Sequence, residues 1–369
     1  MQTRSERFKS FEASEFPGVS NREETWRYLP MDRLRGLENG EIVGAKPEAI
    51  ELTAPGQVVI SWLAAGSEKL ESFAVPEDVV AAQIWGAVDQ ALLLEIPANT
   101  ELAEPVVVKI SAGSEATGLR LVIRSHSHSA ATVILDHTGS GVLGELVELD
   151  LRAGSALNLV TIQDWQSDAA HISNQFARLG RDSRLKHVVV SIGGALVRLV
   201  PSVQLSEPGS SVELFGVYLA ESGDYIEHRP FVDHIAANCS SNVSYKGALH
   251  GKGAHTVWVG DVLIRETAEG TDTYEVNRNL LLTDGARADS VPNLEIETGK
   301  IAGAGHASAS GRFDDEQLFY LMARGVPEKE AKRLVVRGFL GDVVNQIGEP
   351  GIQQRIMDRI EAELEGIED

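Results

Sequence analysis

Cysteine is almost missing from the 369-residue chain, with Cys239 the single example. One thiol excludes an internal disulfide and any metal site built from several thiolates of this chain alone. Aromatic residues are also scarce, at 6%, which argues against an aromatic-rich binding module. No apolar run approaches the ~20 residues that cross a bilayer; stretches such as Leu92-Leu93-Leu94 and Val106-Val107-Val108 are strand-sized. The start, Met1-Gln2-Thr3-Arg4-Ser5-Glu6-Arg7-Phe8, lacks the apolar segment of a secretion signal. A cytoplasmic protein without a membrane partner is therefore expected. Positive charge is in deficit too: 33 Lys and Arg face 54 Asp and Glu, a net charge of −21. A surface this acidic repels phosphates, so nucleic acid is a poor default partner.

What is present suits a layered β structure. Hydrophobic residues make up 43% of the chain and glycine contributes 35 residues, enough for a large core with many turns. Three regions differ in pattern. Residues 1–90 mix helix and turn signals. Within them Ser20-Asn21-Arg22-Glu23 reads as a capping box, in which Ser20 and Glu23 would satisfy each other's backbone N–H groups. A short helix from Arg22 to Leu37, broken at Pro30, is expected to follow.

Residues 91–312 read as strand after strand, for example Leu121-Val122-Ile123, Thr132-Val133-Ile134-Leu135 and His187-Val188-Val189-Val190-Ser191-Ile192. No convincing helix intervenes, so βαβ crossovers are not expected. A turn-like start recurs at Gly154, Asp182, Gly209 and Asn238, in steps of 28, 27 and 29 residues. Such a step is about one coil of a β-solenoid. Spacing alone also leaves an antiparallel sandwich open.

Residues 313–369 turn helical. Asp314 or Asp315 is placed to cap a helix carrying Leu318, Phe319, Leu321 and Met322, with Gly325 as its stop. Pro327 opens a second helix, with Ala331, Leu334, Val335, Phe339, Val343 and Ile347 on one side. A last helix repeats Ile352, Ile356, Ile360 and Leu364 every four residues. That narrow stripe either docks on a partner or folds back on its neighbours.

Catalytic motifs fail. Gly247-Ala248-Leu249-His250-Gly251-Lys252 has one residue too few for a phosphate loop, and Gly253 replaces the required Ser or Thr. No G-x-S-x-G elbow exists. His126 and His128 on one strand would share a face, as a metal site needs, but the alternating Ser125, Ser127 and Ser129 favour a polar strand end. In Asp136-His137, Glu227-His228 and Asp233-His234 the neighbours would point to opposite faces of a strand, so they make no dyads by themselves. His306 stands out because Gly303-Ala304-Gly305 precedes it and Ala307-Ser308-Ala309-Ser310-Gly311 follows. Small neighbours leave its imidazole open to an ion or a second backbone, or simply tolerate it in a linker.

The segments Asn277-Arg278-Asn279-Leu280-Leu281-Leu282-Thr283, Pro292-Asn293-Leu294-Glu295-Ile296, His306 to Gly311 and Leu318 to Val326, with Arg22-Glu23-Glu24-Thr25-Trp26-Arg27-Tyr28 near the start, occur in this order. They resemble the SufB/SufD family of iron–sulfur cluster assembly scaffolds. Ala307 after the histidine and the lone Cys239 are similar to the SufD branch, although many SufD members carry a cysteine where this chain has Ala304. The resemblance implies a right-handed parallel β-helix core between N-terminal and C-terminal helical regions. It implies a non-catalytic scaffold that pairs with a SufB-type subunit and docks a SufC-type ATPase through residues 313–369, and leaves a homodimer open. It also makes His306 the expected ligand of iron or of a transient Fe–S cluster shared with a partner, none being held by this chain alone. Imidazole is a fitting iron ligand where thiolates come from elsewhere. Two alternatives are a SufB-like self-associating scaffold and a β-solenoid enzyme, either a carbohydrate-active lyase or an acyltransferase. The cysteine count speaks against the first, and the absence of a secretion signal or a strict six-residue repeat against the second.

Overall fold

The computed structural model describes residues 7–45, 49–113, 115–312 and 315–365. Among these residues two long sheets form the body, and from Gln90–Ile96 onward consecutive strands alternate between them, one of them broken in two. The first sheet runs Ile50–Thr53, Val106–Ser111, Ala130–Gly139, Ala156–Trp165, Arg184–Ile192, Ser211–Ala220, Ser240–Leu249, Asp272–Leu281 and Gly303–Arg312. The second runs Val59–Ala64, Gln90–Ile96, Ala116–Ser125, Val142–Leu151, Ala170–Leu179 and Leu196–Leu205. It continues through the broken strand Tyr225–His228 and Phe231–His234 to His255–Ile264 and Arg287–Ile296. From Ala116 onward every pairing between these strands is parallel. Antiparallel pairs occur, among the described residues, only at the N-terminal end. The chain is thus a β-solenoid of about 8 turns, 47% strand, and the sandwich is excluded.

The recurrent turn starts are the corners of the coils. Asn99, His128, Gly154, Asp182, Gly209, Asn238 and Gly270 all have left-handed φ, between 55° and 77°. Gly, Asn and Asp tolerate that conformation best, so the sequence repeat marks backbone handedness. At Gly209 a Cβ would lie 2.0 Å from Asp182 Oδ1 on the preceding coil, so stacking of corners as well as φ demands glycine there. His128 is one of these corners, and its strand ends at Ser125. The two histidines 126 and 128 therefore do not share a strand face. A tight turn intervenes, and His126 Nε2 instead meets Glu95 Oε1 at 3.1 Å.

Where helices or the N-terminal segment pack on the outside, both faces of a sheet are covered, which explains apolar runs without alternation, whereas Asp272–Leu281 alternates exposed and buried over its first four residues. Val142–Leu151 is buried at every position. Its inner side joins the solenoid core through Leu143, Val147, Leu149 and Leu151. Its outer side meets the helix α1 (Val79–Ala87) and the N-terminal segment through Val142, Leu146, Ile84 and Leu37. Gly144 makes that approach possible, since a Cβ there would sit 2.8 Å from the Ile84 side chain.

The N-terminal region departs from expectation. Instead of a capped helix it forms two 3-10 turns, Glu24–Trp26 and Met31–Arg33. Ser20 Oγ accepts from the N–H of Arg22, and Glu23 makes no side-chain cap. The Asn21 amide competes by donating to the carbonyls of Trp26 and Leu29, both at 2.9 Å, and so closes a loop rather than a helix.

Three C-terminal helices follow the solenoid: α2 (Asp315–Ala323), α3 (Glu328–Val344) and α4 (Pro350–Glu365). The expected cap Asp314 lies outside the described residues. Gly325, at φ 89°, ends α2 as expected. In α3 the buried face is Ala331, Val336, Leu340, Val343 and Val344, while the expected Leu334 is exposed. The α4 stripe does not await a partner. Ile356, Ile360 and Leu364 are buried in one cluster with Val160, Ile162, Val188 and Val190 on the outer face of the first sheet. Among the described residues no helix is long and apolar enough to cross a membrane.

Candidate metal-ligand site at the open end of the solenoid

Parallel, in-register coils put equivalent residues one above another, so inward-facing side chains form columns through the solenoid. His306 belongs to such a column. It sits on Gly303–Arg312, the last strand of the first sheet, directly in register with Glu275. The same column continues through Val243 and Leu214 to His187. His306 thus faces the interior, but among the described residues no coil covers it on its far side, and its side chain remains 42% exposed. Its small neighbours leave room: Gly305 lies against the Tyr274 ring, where a Cβ would come within 3.2 Å.

Glu275, one coil deeper, is 1% exposed, and its Oε1 stands 3.6 Å from His306 Nδ1. Neither carboxylate oxygen has a hydrogen-bond partner. Burial, with Asp261 nearby, pushes its carboxyl up to about 8. Gly260 opposite makes the space for it, because a Cβ there would lie 2.5 Å from Glu275 Oε2. Polar side chains line neighbouring columns. Ser308 donates to Ser290 at 2.8 Å across the open end, and Asn277 donates to the Tyr218 hydroxyl at 2.8 Å.

The sequence reading missed a second polar cluster deeper inside, made by His137, Glu145 and His171, all fully buried. One nitrogen from each ring and one carboxylate oxygen lie within 4.8 Å of one another, close enough to surround a cation. Hydrogen bonds, however, already engage most of the cluster's polar atoms. His137 Nδ1 meets the Ile162 carbonyl at 3.0 Å and Nε2 meets Glu145 Oε1 at 3.1 Å, so both ring nitrogens face acceptors. Trp165 donates to His171 Nδ1 at 3.3 Å, which leaves the His171 proton on Nε2, facing Glu145. Ser173 donates to Glu145 Oε2 at 2.6 Å. Burial works against charge at His137, yet Glu145 raises its pKa, and His137 in turn holds the Glu145 carboxyl well below the usual range. Burial pushes His171 down to about 4. These shifts favour a buried imidazolium–carboxylate pair with a neutral histidine beside it, an arrangement that needs no ion to hold it. Only the register, which stacks Glu145 on Ser173, could have revealed it.

The remaining acid–histidine neighbours split across the sheet as the pleat requires. Asp136 binds Arg355 outside while His137 points inside. Asp233 binds Arg265 while His234 meets Ser241 at 2.9 Å. Glu227 pairs with Arg198 at 2.8 Å while His228 meets Ser191 at 3.0 Å. Cys239 is buried at a coil corner against Ser210 Oγ, 3.3 Å away. The rejected phosphate loop is a strand end, where Gly247 gives space to the Tyr218 ring.

Residues 108–339 match the family described as SUF system FeS cluster assembly, SufBD core domain. An iron–sulfur cluster assembly SufBD family protein of Mycobacterium tuberculosis (strain ATCC 25618 / H37Rv) is 46% identical over 369 residues, covering 98% of this chain and 93% of the relative. A SufBD family protein of Mycobacterium leprae (strain TN) is 44% identical over 365 residues, covering 97% and 93%. The iron–sulfur cluster assembly protein SufD of Escherichia coli (strain K12) is 24% identical over 283 residues, covering 67% and 66%.

Proposed function

Because the chain belongs to the SufBD family of the SUF iron–sulfur cluster assembly system, we propose that it is a non-catalytic, cytoplasmic scaffold subunit of the SufD kind. In this reading it pairs with a SufB-type subunit through the open end of the solenoid and docks a SufC-type ATPase through its C-terminal helices. His306 contributes an imidazole to iron, or to a cluster being assembled, at the junction between scaffold subunits.

The observation that carries the reading is the placement of His306, inward-facing yet uncovered on the terminal coil. A ligand there is open only toward a partner that abuts the end of the solenoid. The one thiol is buried elsewhere, at a coil corner, so sulfur ligands must come from that partner. Iron and sulfide are cargo here, and the chain's own part is to present and orient the imidazole. For the ATPase, the support is α2, where Phe319, Tyr320 and Met322 are exposed at 72%, 56% and 43%, whereas the α4 stripe is already covered.

The test is co-expression with a SufB-type and a SufC-type protein. The wild-type chain is expected to co-purify with both, and His306→Ala to leave the complex intact while lowering its cluster content. A normal cluster yield in that variant refutes the ligand role. Retention of the ATPase after removal of residues 313–369 refutes the docking surface.

A further inference from the structure

We propose that Glu275 is a second metal ligand, so that His306 and Glu275 together form an N,O pair for ferrous iron across the last two coils. This rests on the reading of His306 as an iron ligand and extends it inward by one coil.

The argument starts from an unsatisfied group. A buried carboxylate ordinarily collects two or more hydrogen bonds, because leaving its oxygens bare costs free energy. Glu275 is 1% exposed and has none. Its neighbours could have been donors, but the backbone opposite is Gly260, and the next residue in its own column is Val243. Asn277 is engaged with Tyr218, Asn279 with Ser310 and Asn293 with Asp261, while the Trp258 ring beside Gly260 keeps its Nε1–H unpaired and gives Glu275 no hydrogen bond. The group aimed at it is the His306 ring, whose Nδ1 lies 3.6 Å from Oε1. Two donors each about 2.1 Å from one cation stand roughly 3.0–3.6 Å apart, so this spacing fits a shared ion without rearranging the backbone. Imidazole and carboxylate together suit a borderline divalent ion such as Fe(II). The surroundings fit as well. Small residues on the His306 strand leave the outer coordination positions open, and the open end would admit water or a partner's ligands there. Gly260 acts as the positioning residue, since any side chain at that point would push Glu275 Oε2 aside.

The experiment is anaerobic titration of the full chain with Fe(II) alone, read by calorimetry, for wild type, His306→Ala, Glu275→Gln and Glu275→Asp. Gln keeps the volume and removes the anionic donor, while Asp keeps the charge but retreats by one methylene. Thermal unfolding accompanies each variant, and Glu275→Asp carries the test if Glu275→Gln does not fold. The expected result is one Fe(II) per wild-type chain, loss of that binding in His306→Ala, and binding at least tenfold weaker in Glu275→Gln with an unchanged Tm. Undiminished binding in Glu275→Gln with loss in His306→Ala overturns Glu275 as a ligand and leaves His306 standing. Undiminished binding in both overturns the His306 reading itself. Absence of Fe(II) binding by the folded wild-type chain overturns the pair as a site that this chain provides.

Discussion

Arg355 on α4 grips Asp136 with both terminal nitrogens, Nη1 to Oδ2 at 2.7 Å and Nη2 to Oδ1 at 2.8 Å. The contact spans 219 residues of sequence and fastens the C-terminal helices to an early coil. Its two ends are unequal, because the Arg355 side chain is 42% exposed and that of Asp136 only 6%. Removing the arginine strands a buried carboxylate, whereas removing the aspartate returns a half-exposed guanidinium to water. Arg355→Ala is therefore expected to destabilise by about 1–3 kcal/mol and Asp136→Ala by less. Urea unfolding of both variants checks the order, and equal costs refute the asymmetry.

A second prediction separates packing from docking on the helices. Ile360 is fully buried against the solenoid, so Ile360→Ala should cost about 2–5 kcal/mol, measured as a lower urea midpoint. Phe319 is 72% exposed, and Phe319→Ala should stay within about 0.5 kcal/mol of wild type. If α2 carries the ATPase-docking face, that same variant should weaken co-purification. Ile360→Ala at a temperature where it remains folded should not.

Much of this architecture is legible in the sequence, for a definable reason. Gly154, Asp182, Gly209 and Asn238 betray the coils because few residue types accept a left-handed corner. The same rule misleads at His128, a histidine occupying a corner that the pattern assigns to a strand. The α4 stripe is visible as apolar, but its occupant is not, since Val160 and Val188 lie far off in sequence. His306 is legible from its small neighbours and its motif. Glu275 is not, because the coil-to-coil register that brings it beside His306 is set by main-chain pairing, and local spacing carries no trace of it.

Acid sensitivity follows from the buried histidines. Burial pushes His171 and His234 down to about 4, and His187 and His228 down to about 3. In the unfolded chain all four protonate near pH 6.5. Below that pH the unfolded state binds more protons, so stability is full above about pH 6.5 and falls as the solution is acidified toward the folded values. Four such groups give a slope of up to about 5 kcal/mol per pH unit near pH 5. Urea unfolding from pH 7.5 to 5 measures it. His187→Asn should reduce the slope by roughly a quarter, and an unchanged slope refutes the assignment.

The His137–Glu145 pair makes the opposite contribution, and its replacement tests whether a proton or a metal holds the cluster together. The folded pKa of His137 is raised above its unfolded value, so its stabilisation is complete below about pH 6.5 and fades as pH rises through the folded value. The folded pKa of Glu145 is lowered, so its share is present above about pH 4.5 and fades only in acid. Glu145→Gln leaves His137 with a neutral partner in a dry interior. It is expected to cost about 3–5 kcal/mol at pH 6 and less at pH 8.5, where the wild type has already lost part of the benefit. If the His137–Glu145 ion pair holds the cluster, a chelator should leave the wild-type Tm unchanged. A Tm that drops on chelation, and recovers when a divalent metal is restored, would show that an ion and not a proton joins His137, Glu145 and His171.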